Sequence, residues 1–381
     1  MRIAIDARWI FQQISGIGAY TLNLIEHLAK IDQTDHTFVL IFNEQELLDR
    51  TLADTNTAGH PRIETTVFPY GVHSPQSQLR LPGFLKKQKI DVFHSTNYMI
   101  PLMAFPPRRR GRIACITTIH DMIPMLFPDA APNSKKTKLF PLYKKLMRMV
   151  GQRADRIITD SDASKRDIIK CLEIPTSDHN KVRTIYCGVG KEFTPAAATN
   201  TDAPSILYVG RADPYKNLVG LVQAFANARE KLPANTRLLI AGAKDSRYPQ
   251  AETLAQELGI SDHVIWTGYL SQEDLVQTYR DASVLCLPSR CEGFGLPVVE
   301  AMAVGTPVIC SNAGSLPEVA GDAAIQHNPD DLDALSNALV TVLTDSGHTQ
   351  SLITKGYEQA ARFSWARTAT ETLALYEELG Q

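Results

Sequence analysis

Short apolar, β-branched runs recur along the first half of the chain, at Arg2–Asp6, Thr37–Phe42, 91–94, 113–119 and Arg156–Thr159, with helically spaced stretches between most of them. That alternation predicts parallel strands joined by crossover helices. The pattern stops at 194–204, a stretch of small and turn-forming residues without apolar periodicity that reads as a linker. It resumes at 205–210, 238–242, 264–266, Val284–Leu287 and 307–310, so a second α/β domain follows the first. No internal repeat is visible, and low complexity is confined to the linker. Ligands of doubly wound sheets bind outside the carboxyl ends of the strands, which makes a cleft between the two domains the expected site.

Composition narrows the class. The 381 residues are 44% hydrophobic and 21% charged, enough for two domain-sized cores and incompatible with disorder or a fibre. No run approaches the roughly eighteen apolar residues needed to cross a bilayer. The opening Met1-Arg2-Ile3-Ala4-Ile5-Asp6-Ala7-Arg8 places an acid and a second base where a secretory signal needs an unbroken apolar run, so no export signal is expected. The six cysteines are scattered without a C-x-x-C pair, which fits neither a zinc site nor a disulfide framework and points to a reducing cytoplasm. The net charge of −2 conceals a division: residues 1–195 carry +8 and the remainder −10. Such asymmetry bears on partners, not on fold.

The most informative segment runs from Pro288 to Pro307 and reads strand, glycine loop, helix, strand. Pro297 suits the first helical turn, so the free amides around Gly295 and Leu296 are placed to face an anion such as a diphosphate. Glu300 lies about one turn into that helix, in reach of hydroxyls such as those of a ribose, and Glu292 precedes the loop and faces the cleft separately. On the residues alone, a solvated loop acid and an ordinary helix-dipole acid are equal alternatives.

Glu292 and Glu300, with Gly293-Phe294-Gly295-Leu296-Pro297 between them, resemble the E-x7-E signature of the family 4 retaining glycosyltransferases, and the likeness covers nearly the whole chain. It implies the α/β GT-B fold: two Rossmann-like domains facing across a cleft, with a C-terminal helix crossing back to the first. The expected division is an acceptor-side domain at 1–193, a linker at 194–204, a nucleotide-sugar-binding domain at 205–364 and the returning helix at 365–381. Gly210-Arg211-Ala212-Asp213-Pro214-Tyr215-Lys216-Asn217 is similar to the family's diphosphate-binding turn, with Arg211 and Lys216 as its cations. Ser15-Gly16-Ile17-Gly18-Ala19-Tyr20 resembles its first glycine loop, and Thr118-Ile119-His120-Asp121-Met122-Ile123-Pro124 its histidine motif. Asp160-Ser161-Asp162-Ala163-Ser164-Lys165-Arg166-Asp167 resembles a further family segment.

Each motif has a bland alternative. Arg211 and Lys216 would stabilise a departing diphosphate, although exposed bases are common after strands. Gly16-x-Gly18 lacks the third glycine of a dinucleotide fingerprint, which disfavours a dehydrogenase, and packing alone also accounts for both glycines. A histidine ending an apolar strand is commonly structural, whereas the resemblance puts His120 beside the donor sugar, in a positioning role and not as a general base. Asp160-x-Asp162 follows a strand and opens a helix, where Ser161 and Asp162 are natural caps, so no metal site and no divalent-cation requirement are expected.

The segment 135–153 holds seven bases, no acid and an interleaved Leu139, Leu142, Leu146 and Met149. A solvated amphipathic helix and a helix lying on an anionic membrane are equally good readings. Nucleic acid is disfavoured by the absence of a binding motif. The implied activity moves a sugar, preferably mannose from GDP-mannose, to a saccharide or lipid-linked acceptor with retention, as in bacterial polysaccharide synthesis. A UDP-sugar donor, a phosphorylase or epimerase sharing the fold, and an inactive carbohydrate-binding scaffold are the alternatives. No cofactor is expected, and the location is cytoplasmic, with peripheral contact on the inner membrane face left open.

Overall fold

The computed structural model describes residues 1–14, 16–32, 34–128, 139–196 and 203–380. Ser15 of the first glycine loop, residues 197–202 of the linker candidate, and Lys135, Lys136 and Lys138 of the basic segment lie outside the described residues.

The chain forms two compact units. The first comprises Met1–Met122, Leu139–Gly188 and Ser364–Gln381, and the second Ile123–Lys138 and Val189–Phe363. The described residues 123–128 group with the second unit, unlike the undivided 1–193 read from sequence. They include a four-residue helix, Ile123–Leu126, and contribute no strand to the first sheet.

Seven parallel strands make the first sheet: β1 (Arg2–Asp6), β2 (Thr37–Phe42), β3 (Ile63–Val67), β4 (Val92–Ser95), β5 (Ala114–Thr118), β6 (Arg156–Thr159) and β7 (Val182–Thr184), in the order β3-β2-β1-β4-β5-β6-β7. Six parallel strands make the second: β8 (Ser205–Val209), β9 (Arg237–Ala241), β10 (Val264–Gly268), β11 (Val284–Leu287), β12 (Val308–Ser311) and β13 (Ala324–His327), in the order β10-β9-β8-β11-β12-β13. Both orders reverse direction beside the first strand of the unit, at β1/β4 and at β8/β11. The loops leaving those strands diverge there and open a crevice.

The central strands read as continuous apolar runs because both faces are covered by helices: Ile3, Ala4 and Ile5 of β1 and all four residues of β11 are fully buried. The closing helix Trp365–Gly380 belongs to the first unit and packs on the helix Gly16–Ala29 through a face that includes Trp365, Ala369, Leu373 and Tyr376. Tyr376 reaches β4, where its hydroxyl lies 2.7 Å from His94 Nδ1. Among the described residues, no helix is long and apolar enough to cross a membrane.

Candidate active site

In the second unit, the chemistry-bearing residues sit on the two loops that leave the switch-point strands β8 and β11. After β8 the chain turns through a short helical segment, Pro214–Lys216, and stops at Asn217, whose left-handed backbone (φ 59°) starts the helix Leu218–Ala228. Asn217 is suited to that conformation, and its side-chain amide ties the turn to the neighbouring loops by donating to the carbonyls of Pro288 (3.2 Å) and Pro329 (2.9 Å). Lys216 is thereby aimed at the loop after β11, where its ammonium lies 2.7 Å from each oxygen of Glu292. Ser289 Oγ donates to the same carboxylate at 2.7 Å.

Glu292 is therefore not a separate cleft acid, as the sequence suggested, but half of a largely buried ion pair with Lys216 (side chains 9% and 18% exposed). Seventy-six positions separate the two in the chain, and only the β8/β11 pairing brings them together. Arg211, still 69% exposed, pairs with Asp213 at 2.9 Å. Each of the two cations thus carries an acid beside it. A lysine has three donors and an arginine five, so both retain N–H groups for a phosphate.

Gly295 caps the helix Leu296–Val304 with a positive φ of 105°, and a Cβ there would stand 2.8 Å from Leu316 Cδ2. Pro297 occupies the first turn. Such an end presents unsatisfied amides and the positive pole of the helix dipole to an anion. Gly293 and Phe294 lead into it, and Ser315 Oγ fixes the loop by donating to the carbonyls of Glu292 (3.0 Å) and Phe294 (2.7 Å). Farther along the helix, Glu300 accepts from the Tyr279 hydroxyl at 2.7 Å. Burial pushes its pKa up to about 7, against the opposing pull of the Tyr279 bond, with Glu192 adding to the rise. Tyr279, on the helix Gln272–Asp281, carries no motif in the sequence. A cavity of about 610 Å³ opens beside the 211–217 turn, lined in part by Asp213, Asn217, Tyr248 and Arg290. Arg211, Lys216, Glu292 and Glu300 do not line it.

In the first unit, Gly16 opens the helix Gly16–Ala29, and a Cβ on it would meet nothing within 4 Å. At Gly18 a Cβ would come to 3.4 Å of the Ile14 side chain, an ordinary packing contact. His120 follows β5. Its Nδ1 lies 2.6 Å from Asp160 Oδ2 and its Nε2 3.1 Å from the Thr96 carbonyl, with Tyr20 edge-on at 5.0 Å. Burial works against the charged ring, but the charge and hydrogen bond of Asp160 and the Thr96 carbonyl prevail, so its pKa is raised.

Asp160 is thus a partner of His120. Ser161 caps the helix Asp162–Cys171, accepting from the Ser164 amide, while Asp162, in the first turn, accepts from Thr184 Oγ1 at 2.5 Å. The signal for the His120–Asp160 contact was the strand register, Thr118 beside Ile158, which sets the residues two positions on side by side. Among the described residues, no group of three or more His, Cys, Asp or Glu side chains is arranged to hold a metal ion.

Two parallel doubly wound units, one of them carrying an anion-receptive helix end beside two cations, place the chain in the two-domain class of α/β proteins. Residues 14–193 match the family model described as Glycosyltransferase Family 4, and residues 191–359 that described as Glycosyl transferases group 1. The chain is 28% identical to the O-antigen chain mannosyltransferase B of Escherichia coli over 100% of both chains. It is 30% identical to the D-inositol 3-phosphate glycosyltransferase of Mycolicibacterium smegmatis, over 75% of this chain and 67% of that one. Among solved structures it shares its fold with sucrose-phosphate synthase of Thermosynechococcus elongatus (TM-score 0.79, 23% identity, 99% and 98% of the two chains). Anabaena HepE in complex with UDP and glucose is also similar (TM-score 0.75, 15% identity, 99% and 100%). The protein belongs to the family 4 glycosyltransferases and is a hexosyltransferase.

Proposed function

We propose that the protein transfers mannose from GDP-mannose to a saccharide or lipid-linked oligosaccharide in the synthesis of a cell-surface polysaccharide, with retention of anomeric configuration. The observation that carries the reading is the convergence, at the β8/β11 switch point, of the Lys216–Glu292 pair with the free end of the helix Leu296–Val304. Arg211, Lys216 and the Gly295 and Leu296 amides stabilise the diphosphate as negative charge develops on it. Glu300 accepts from the ribose hydroxyls. Glu292 orients Lys216 and meets the transferred sugar, and His120 lies beside that sugar and the Gly16 and Gly18 backbone in a positioning role. No side chain stands out as a nucleophile, so the acceptor attacks from the face the diphosphate leaves, with the leaving phosphate taking its proton.

The mannose assignment draws support from the end-to-end likeness to an O-antigen mannosyltransferase. The bound UDP and glucose in the similar HepE fold favour a UDP-sugar as the second reading. A thermal-shift screen of GDP, UDP, ADP and their sugars decides between them, because a ligand that binds only the folded chain raises its melting temperature. Larger stabilisation by UDP than by GDP overturns the donor assignment. Product analysis by NMR tests retention. The reaction proceeds without a divalent cation, and loss of activity in EDTA that returns with manganese or magnesium refutes that.

The lipid-linked acceptor has a matching surface in the first unit. Leu79, Met103, Leu139 and Leu142 are exposed on three elements linked by packing, the helices Pro75–Lys87 and Phe140–Arg153 and the turn Leu102–Ala104, with exposed Arg80, Arg108, Arg109 and Lys145 on or near them. This surface contacts an anionic membrane peripherally from the cytoplasmic side. Co-sedimentation with phosphatidylglycerol vesicles but not phosphatidylcholine vesicles, lost in a Leu139→Ser/Leu142→Ser variant, is the expected result. Equal sedimentation with both refutes it.

A further inference from the structure

We infer that Asp160 is a positioning residue that holds His120 as a doubly protonated imidazolium, so that His120 meets the transferred sugar as a fixed positive charge and not as a base. The role toward sugar rests on the reading above, whereas the charge state rests on geometry alone.

The geometry leaves little freedom. Thr96 offers a carbonyl oxygen, which only accepts, so the Nε2 that faces it at 3.1 Å must carry a proton. Nδ1 faces Asp160 Oδ2 at 2.6 Å, the short distance of a charge-assisted bond. With both nitrogens donating, no lone pair remains for a base. In a catalytic dyad the carboxylate orients a neutral ring whose far nitrogen is free, and here that nitrogen is occupied.

Asp160 is only 5% exposed at its side chain, and His120 is its ion-pair partner among the described residues. Besides His120, Asp160 meets the Cys187 thiol, a weak and uncharged donor. A proton lost from His120 would strand a buried carboxylate without a cation, which is strongly unfavourable. The pair is also fixed by its backbone: the Ile119 amide donates to the Ile158 carbonyl at 2.8 Å, and Ser164 Oγ to the His120 carbonyl at 2.9 Å.

The other titratable groups near His120 do not compete for its proton. Tyr20, on the helix Gly16–Ala29, and Cys187, after β7, are pushed up chiefly by burial and stay neutral. His94 on β4 is pushed down to about 3, first by burial and then by the charge on His120, and is neutral as well. Asp121, the adjacent residue, adds to the pull of Asp160 toward the charged ring. Burial, the largest influence on His120 itself, opposes the charge but is outweighed.

The test uses the full chain as Asp160→Asn, Asp160→Glu and His120→Gln variants. Nitrogen-15 NMR of the imidazole rings, followed from about pH 5.5 to about pH 9, should show His120 staying imidazolium to a higher pH in the wild type than in Asp160→Asn. Turnover of a nucleotide sugar should hold level on the alkaline side in the wild type. In Asp160→Asn it should fall about tenfold as pH rises through the normal histidine range, with Asp160→Glu restoring the level profile. A His120 ring that loses its proton at the same pH in the wild type and in Asp160→Asn, or an Asp160→Asn profile parallel to the wild type, overturns the inference. A wild type inert toward every nucleotide sugar refutes the role toward sugar, while the NMR readout still decides the charge state.

Discussion

The ammonium of Lys216 stands 2.7 Å from each oxygen of the Glu292 carboxylate, so the lysine assigned to the diphosphate is also the counter-ion of a largely buried acid. Its removal therefore has two effects, lost phosphate binding and an unpaired carboxylate, and a single substitution confounds them. Lys216→Met should lower stability by about 3 kcal/mol, whereas Lys216→Met/Glu292→Leu should return to within about 1 kcal/mol of the wild type. Both should weaken binding of the nucleoside diphosphate by about tenfold, the loss of one charged phosphate contact. Denaturant unfolding and calorimetry with GDP measure the two effects separately. Unchanged GDP affinity in the double variant refutes the phosphate role.

Glu300 offers a pH signature. Its pKa is pushed up to about 7 by burial, so near neutrality it is divided between two forms, and only the carboxylate accepts from both ribose hydroxyls. Nucleoside diphosphate affinity should rise as pH increases through about 7 and be flat for Glu300→Gln. In the free protein the sign is opposite: an acid with a raised pKa stabilises the fold below its ordinary value of 4.5, and that contribution is lost as pH rises through about 7. Affinity that is level across this range in the wild type rules out Glu300 as the ribose acceptor.

Gly314 carries a positive φ of 60°, and a Cβ there would lie 2.7 Å from the Glu292 backbone nitrogen. Gly314→Ala must therefore displace the loop that holds Glu292, because neither backbone can yield by a rotamer change. A stability loss of about 2 kcal/mol and a fall in turnover at saturating donor are expected. Gly347→Ala is the control, since its Cβ would meet only Asp345 Oδ1 at 3.5 Å and its φ is unstrained. Thermal unfolding of the two variants side by side checks the claim, and equal melting temperatures would sink it.

How far the sequence reached follows from what each element has to bury. The strands β1, β2, β4, β5, β6, β8, β9, β11 and β12 are covered on both faces, so their apolar runs announced them. The strands absent from that reading, β3 (Ile-Glu-Thr-Thr-Val), β7 (Val-Arg-Thr) and β13 (Ala-Ile-Gln-His), are edge strands, while the fourth edge, β10, was legible from its apolar Val264-Ile265-Trp266 run. Half-exposed edges tolerate polar residues, which leaves the first three no apolar run to read. At the site, the glycine turns and the helix end at Gly295 were legible because backbone conformation constrains residue type locally. The pairs were not. Lys216 with Glu292, His120 with Asp160 and Glu300 with Tyr279 join positions far apart in the chain, and such contacts follow from strand order and register or, for Glu300 with Tyr279, from the packing of two helices. The bond of Asp160 was hidden for the same reason: its local context is a helix start, while its partner is on the neighbouring strand's loop.

His94 ties the closing helix to β4, with Tyr376 on one ring nitrogen and Thr118 Oγ1 (2.9 Å) on the other. Burial, and secondarily the charge on His120, pushes its pKa down to about 3 from 6.5, so the fold accepts only the neutral ring. The sign follows: a histidine depressed in the folded state contributes stability that is complete above about 6.5 and is lost as pH falls toward about 3. Below pH 6.5 this single group should cost about 1.4 kcal/mol per pH unit, detaching the helix Trp365–Gly380 early in acid. His94→Gln should remove that slope relative to the wild type, and Tyr376→Phe should lower stability by about 1 kcal/mol at pH 7 through loss of one buried hydrogen bond. Chemical unfolding from about pH 4.5 to about pH 7.5 provides the comparison. Wild-type and His94→Gln curves that run parallel across that range would show that His94 does not govern the acid limit of the first unit.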